Sequence, residues 1–153
     1  MRYPPLKTLT AIFLIALLAA CSPANKALKH SKSLAKSGLT YEATLAALDA
    51  VEAKPNYKKA MVQVKTLGTK EIQNQMREFN ELRTAGETVG ALDAYVRAWD
   101  IEQRAANLGV LLTGTSAHAS DFANLRIGYI QELDGKGQAA LQSEDFTAAE
   151  RIY

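Results

Sequence analysis

Apolar residues recur every three or four positions along most of the chain, and this spacing predicts amphipathic helices. Runs that alternate between apolar and polar residues, which are typical of half-buried strands, are essentially missing. We therefore expect an all-α fold built from antiparallel helical hairpins. The pattern predicts five main helices: one from Pro23, one over 39–53, one from Tyr57 to about Leu82, one over 88–108 and one from near Phe122.

Particular residues mark where these helices begin, bend and end. Ser22 followed by proline is typical of an N-cap and first helical residue, and Thr40 is expected to cap the second helix. Gly68 is a weak point in the third helix, at which the helix could bend. Gly135 is expected to end the fifth helix.

The fourth helix carries an apolar stripe of large side chains, namely Val89, Leu92, Tyr95, Val96 and Trp99. Such a stripe usually faces the core, so we expect Tyr95 and Trp99 to be buried. The alternative is that both help to line a groove for a partner, together with Tyr41 and Tyr57.

The first twenty residues are typical of a secretory signal peptide. Arg2 and Lys7 supply a basic start, and an apolar run follows from Leu9 to Ala20. As a helix this run spans roughly 18 Å, well short of the ~30 Å hydrocarbon core of a bilayer. We therefore divide the chain into a leader over 1–20 and a helical domain over 21–153.

The leader ends in Leu18-Ala19-Ala20-Cys21, which resembles the lipobox of bacterial lipoproteins. The resemblance implies cleavage between Ala20 and Cys21 and acylation of Cys21, which anchors the chain to the bilayer. Ser22 follows the cysteine, where an aspartate often signals retention in the inner membrane. The resemblance therefore favours an outer-membrane anchor facing the periplasm.

Four lysines follow the cysteine without any acidic residue before Glu42, and they share one side of the first helix: Lys26, Lys29, Lys32 and Lys36. Beside a lipid anchor this basic face is a candidate surface for anionic headgroups, to which each lysine contributes about 1 kcal/mol. The alternative is an ordinary solvated face opposite a core stripe.

A recurrent spacing predicts equivalent turns between helices. A turn residue is followed after five residues by alanine, after seven more by alanine, and in one case after five more by proline. The positions are Gly38, Ala43, Ala50, Pro55, Gly86, Ala91, Ala98 and, with Glu144 in the turn position, Ala149. They resemble the turn and second helix of tetratricopeptide repeats, in which small alanines let paired helices approach.

The chain departs from that family in its period. The turns lie 48 and 58 residues apart, whereas tetratricopeptide units repeat every ~34 residues. Alanine is also frequent, with 26 among 153 residues. An irregular helical bundle is therefore the alternative to a repeat-like fold. The last residues read as the middle of a helix without a capping helix, so we expect the native chain to continue past Tyr153; the alternative is that this end packs against another chain.

Composition excludes several function classes. After residue 20 the chain has 16 basic and 16 acidic residues, which gives no support to nucleic-acid binding. One cysteine and two histidines make a metal site implausible, and no cofactor motif is found. Ser116, His118 and Asp121 are the residue types of a catalytic triad, but they crowd into six positions and are better explained as a loop that enters a helix.

These features predict a non-enzymatic lipoprotein whose helical domain is an interaction scaffold for envelope proteins. The expected partners are the bilayer, held through Cys21, and an envelope protein. The alternative is that the helices form the N-terminal part of an enzyme acting on peptidoglycan, with its catalytic domain beyond Tyr153.

Overall fold

The computed structural model describes residues 22–152, in which all regular secondary structure is helical. The prediction of an all-α fold is therefore confirmed. The leader, Cys21 and Tyr153 lie outside the described residues. The helices are α1 (Pro23–Lys36), α2 (Thr40–Ala53), α3 (Lys58–Ala85), α4 (Thr88–Asn107), α5 (Ala119–Gln142) and α6 (Phe146–Ile152), with a 3-10 turn at Ser116–His118.

Successive helices pack as hairpins, and the described residues divide into two compact units. The first unit contains residues 22–71 and Ile101–Leu112, and the second contains Ile72–Asp100 and residues 113–152. The long helices α3 and α4 contribute residues to both units.

The first unit is packed largely through small side chains. Seven of the fourteen residues of α2 are buried, and four of these are alanines. Ser31 of α1 is fully buried and donates its hydroxyl hydrogen to the carbonyl oxygen of Ala43, at 2.7 Å. Short side chains let the two helices approach closely, and this hydrogen bond satisfies a hydroxyl that would otherwise be costly to bury.

Gly68 does not interrupt α3, which runs continuously from Lys58 to Ala85. Gly68 is buried in the first unit, where a Cβ atom would lie 2.6 Å from Cδ1 of Leu112. Glycine at this position therefore lets Leu112 approach the helix backbone. The propensity cost of one glycine, about 1 kcal/mol relative to alanine, is insufficient to break a packed helix.

Two of the predicted helix ends also need correction. Ser22 caps α1 as expected and accepts a hydrogen bond from the Asn25 amide at 3.3 Å. Thr40, however, is the first residue of α2 rather than its cap, and Leu39 occupies the N-cap position without a side-chain hydrogen bond. Gly135 does not end α5, which continues to Gln142 and packs against α6.

The core of the second unit is aromatic as well as aliphatic. Phe79 is fully buried, and its ring meets that of Tyr95 edge-on, with centroids 5.7 Å apart. An ion pair joins Arg83 of α3 to Asp121 in the first turn of α5, at 3.1 Å. These contacts fix α3, α4 and the start of α5 around one cluster of rings.

Candidate functional site

The three turns picked out by spacing have the same backbone geometry. Gly38, Gly86 and Glu144 have φ angles of 80°, 79° and 60°. At each turn the amide of this residue bonds to the carbonyl three positions earlier, and the next amide bonds to the carbonyl five positions earlier. This pair of bonds ends a helix at a residue in the left-handed backbone conformation and satisfies the last carbonyl groups of the helix.

The alanines at the shared spacing are all buried, with exposed fractions between 0% and 4%: Ala43, Ala50, Ala91, Ala98 and Ala149. Pro55 is exposed in the link between α2 and α3. The unequal spacing of the turns follows from the long helices, since α3 has 28 residues and α5 has 24.

The second unit holds a groove of about 360 Å³ between α4 and the beginning of α5. We call this feature the aromatic groove. Its lining residues are Tyr95, Val96, Trp99, Ala119, Phe122 and Arg126. Apolar grooves with few polar groups are the usual form of sites that bind ligands or peptide segments.

The floor of the aromatic groove is held rigidly by stacked rings. Tyr95 and Phe122 stack with centroids 4.1 Å apart and planes 13° from parallel. Behind them, the buried ring of Phe79 contacts both Tyr95 and His118 edge-on. The Tyr95 hydroxyl donates to the carbonyl oxygen of Thr115 at 3.4 Å, which satisfies its polar end.

The rim of the aromatic groove is apolar and exposed. Trp99 is 48% exposed and Val96 is 47% exposed. The prediction that Trp99 is buried is therefore wrong, whereas Tyr95 is buried as expected, at 6%. Arg126 supplies the one charge among the lining residues, and its guanidinium carbon lies 5.9 Å from the centroid of Phe122.

The cause of this error is that α4 is apolar on two faces. Its packed face in the second unit is made of small residues, Ala91, Ala94 and Ala98, together with Tyr95. Three of the larger side chains in the predicted stripe lie on the other face and are exposed: Val89, Val96 and Trp99. Close helix packing selects the small residues, and these three side chains remain in contact with solvent.

The other tyrosines predicted to line a groove lie in the first unit. Tyr57 precedes α3 and lines a different pocket, and Tyr41 lies near the start of α2. The four lysines of the predicted basic face are all exposed: Lys26, Lys29, Lys32 and Lys36. The predicted lipidation site at Cys21 falls outside the described residues.

The residue types of a triad form no catalytic arrangement. Ser116 and His118 lie in the 3-10 turn, and the His118 ring packs against Phe79. Asp121 is paired with Arg83 instead of orienting a histidine. Within residues 22–152, no three His, Cys, Asp or Glu side chains cluster closely enough to hold a metal ion.

None of the helices in the described part of the chain has both the length and the apolar character needed to cross a bilayer. Comparisons of the sequence and the structure with protein-family models, curated proteins and solved structures give no match. The residues themselves must therefore carry any functional inference.

Proposed function

We propose that the protein is a lipid-anchored envelope protein whose helical domain is a scaffold that binds another protein through the aromatic groove. The observation that carries the proposal is the half-exposed Trp99 beside the stacked rings of Tyr95 and Phe122, of which Tyr95 is buried. Tryptophan, tyrosine and arginine are the residues that most often dominate protein interfaces, and all three line this groove. The proposal assigns binding, not catalysis, to residues 22–152.

The lipid anchor is supported by the lipobox resemblance at 18–21 and by the start of α1. Ser22, the residue directly after Cys21, already caps that helix. Acyl chains on Cys21 would therefore attach to a folded helix without an intervening linker. Two or three chains are needed for stable anchoring, because one chain alone binds a membrane only reversibly. We assign the anchor to the outer membrane, with the domain in the periplasm.

The chemistry of the aromatic groove defines the segment that it would bind. Trp99 and Val96 offer apolar contact area, and Tyr95 and Phe122 hold fixed orientations that need no ordering on binding. Arg126 lies at the same groove without an ion pair among residues 22–152. The expected partner segment therefore places an apolar or aromatic side chain in the groove and an acidic group beside Arg126.

The anchor is tested by replacing Cys21 with alanine. The variant should carry no acyl chains and should be missing from the membrane fraction, in which the wild-type protein is retained. Wild-type protein should have the mass of a chain that begins at an acylated Cys21. An unmodified wild-type cysteine would remove the anchor from the proposal.

The groove is tested with a photo-reactive amino acid placed at Val96, and with Val62 as the matched control. Val62 is an exposed valine of the first unit, at 65%. We expect a discrete crosslinked partner from position 96 that position 62 does not give. Trp99→Ala should weaken that interaction by about 2 kcal/mol or more, as truncation of an interface hot spot does.

Arg126→Glu tests whether binding at the aromatic groove depends on charge pairing as well as on apolar contact. Charge reversal should abolish the crosslink if an acidic partner group pairs with Arg126, and should leave it unchanged if only apolar contact matters. Equal crosslinking from positions 62 and 96 would contradict the proposal.

A further inference from the structure

A second pocket, in the first unit, has a different chemistry from the aromatic groove. It has a volume of about 340 Å³ and is formed by α1 and the beginning of α3. We call it the cationic pocket. Its lining residues are Asn25, Leu28, Lys29, Lys32, Tyr57 and Lys59.

A hydrogen bond holds the two sides of the cationic pocket together. The Tyr57 hydroxyl donates to Oδ1 of Asn25 at 2.7 Å, which joins the residue before α3 to the first turn of α1. A further cation lies close by, since the Lys54 Nζ atom is 5.2 Å from the centroid of the Tyr57 ring. Lysines from two helices are thus kept around one cavity instead of being spread along a single helix face.

The chain segments that carry these lysines contain no acidic residue. Residues 22–41 contain four lysines and residues 53–70 contain five, and neither segment contains an aspartate or glutamate. In α2, between these segments, Asp49 and Glu52 both pair with Arg104, at 3.1 and 2.9 Å. Within residues 22–152, no ion pair involves Lys29, Lys32 or Lys59.

We propose that the cationic pocket binds the phosphate of an anionic lipid headgroup. Three ammonium groups supply the positive charge and the N–H donors that phosphate oxygens require, while Tyr57 and Asn25 hold the two sides of the pocket together. The choice of a lipid as the source rests on the proposed anchor, because Asn25 and Lys29 lie within two helical turns of Ser22. Bound headgroup would hold the first unit against the bilayer in one orientation.

The test measures how fast each lysine is modified by an amine-reactive ester in the full chain, reconstituted in lipid nanodiscs. Neutral discs of phosphatidylcholine are compared with discs that also contain phosphatidylglycerol, and with neutral discs plus inorganic phosphate. Lys26, Lys36 and Lys70 are exposed lysines of the same unit outside the pocket lining and serve as controls in the same molecules.

We expect phosphatidylglycerol to slow the modification of Lys29, Lys32 and Lys59 by about threefold or more, the factor that two-thirds occupancy produces. The three control lysines should change less. In hydrogen–deuterium exchange, phosphatidylglycerol should also protect the backbone amides of Asn25 and Tyr57. The triple variant Lys29→Gln, Lys32→Gln, Lys59→Gln should abolish this protection. The matched variant Lys26→Gln, Lys36→Gln, Lys70→Gln should retain that protection.

Three outcomes would overturn the proposal. Equal slowing at pocket and control lysines would mean diffuse attraction to a charged surface. Protection by inorganic phosphate but not by phosphatidylglycerol would assign the pocket to a soluble anion. No change in either disc would mean that no phosphate binds. The acylation of Cys21 is measured separately by intact mass, so failure of the pocket and failure of the anchor are distinguishable.

Discussion

The first hairpin (α1–α2) and the third hairpin (α5–α6) turn in the same way but are buried very differently. At both turns the residue with positive φ follows the first helix and closes the same pair of amide–carbonyl bonds. In the first hairpin, α2 buries seven of its fourteen residues. In the third, α5 buries only Gly137 and α6 only Ala149.

The difference shows that turn geometry and burial have separate physical origins. A helix end is closed by hydrogen bonds among residues within six positions, so the turn is specified locally. Burial requires other helices to cover the hairpin. α2 is covered on its alanine-rich face, whereas Leu141 and Phe146 beside the third turn are 47% and 66% exposed.

The largest test of this comparison is the same substitution in both hairpins. Leu48 of α2 is fully buried and Leu141 of α5 is half exposed. Leu48→Ala should reduce the free energy of unfolding by about 2–5 kcal/mol, the usual cost of a cavity at such a site. Leu141→Ala should change it by less than about 1 kcal/mol. Urea denaturation monitored by circular dichroism measures both.

Similar losses for the two leucine variants would break the comparison. They would mean that the third hairpin is covered in solution by a partner, a second copy or further chain. Repeating the Leu141→Ala measurement over a range of protein concentrations identifies self-association, because only then does the loss depend on concentration.

The turns themselves provide a smaller test, in which substitutions at the first and third turns should change the free energy of unfolding in opposite directions. Gly38 has a φ angle of 80°, and a Cβ added to it meets no atom within 4 Å, so only backbone strain opposes a side chain there. Gly38→Ala should therefore cost about 1 kcal/mol. Glu144 already bears that strain at a φ of 60°, so Glu144→Gly should stabilise the protein by a similar amount, about 1 kcal/mol.

Thermal melting of these two variants gives the check. Equal and opposite shifts would establish that the first and third turns are energetically equivalent although they differ in sequence. If Glu144→Gly destabilises the protein, then the glutamate side chain contributes a contact that outweighs its backbone strain.

Features set by neighbouring residues could be predicted from the sequence, whereas features set by distant contacts could not. Ser22 was assigned correctly as a cap because its partner, the Asn25 amide, is three residues away. The packing role of Gly68 could not be predicted, because the Leu112 side chain that approaches it comes from a residue far along the chain. The helical fold followed from periodicity, but the end of α5 did not, because one glycine costs a helix only about 1 kcal/mol relative to alanine and does not end it by itself.

Only part of the aromatic groove could be predicted, because the groove is formed by residues that are distant along the chain. Tyr95 and Trp99 were singled out, but Phe122 and Arg126 lie on α5, and no sequence signal joined the two helices. The spacing of Phe122 and Arg126 by four residues places them on one face of that helix, which is the sign that could have identified them. Lys59 and Asn25 of the cationic pocket are likewise brought together only by folding.

The smallest expected effect concerns ion pairs. In the first unit, Arg104 joins Asp49 and Glu52, which lie more than fifty residues earlier in the chain. Burial lowers the pKa of the Arg104 guanidinium, but hydrogen bonds and charge interactions with Glu52 and Asp49 outweigh it and raise the pKa above its ordinary value. In α5, Lys136 pairs with Glu132, one helical turn away, and both are exposed.

Arg104→Gln should therefore cost about 0.5–1 kcal/mol, whereas Glu132→Gln should have no measurable effect on unfolding. Because the folded-state pKa of Arg104 is raised, its stabilisation is fully present below the ordinary arginine pKa and is lost only as the pH rises through the higher, folded-state value. Changing the pH near neutrality should thus leave the loss of unfolding free energy in Arg104→Gln intact.

Raising the salt to about 1 M, where the screening length falls to about 3 Å, should reduce this loss. A difference that salt does not affect would assign the role of Arg104 to packing of its aliphatic chain instead of charge.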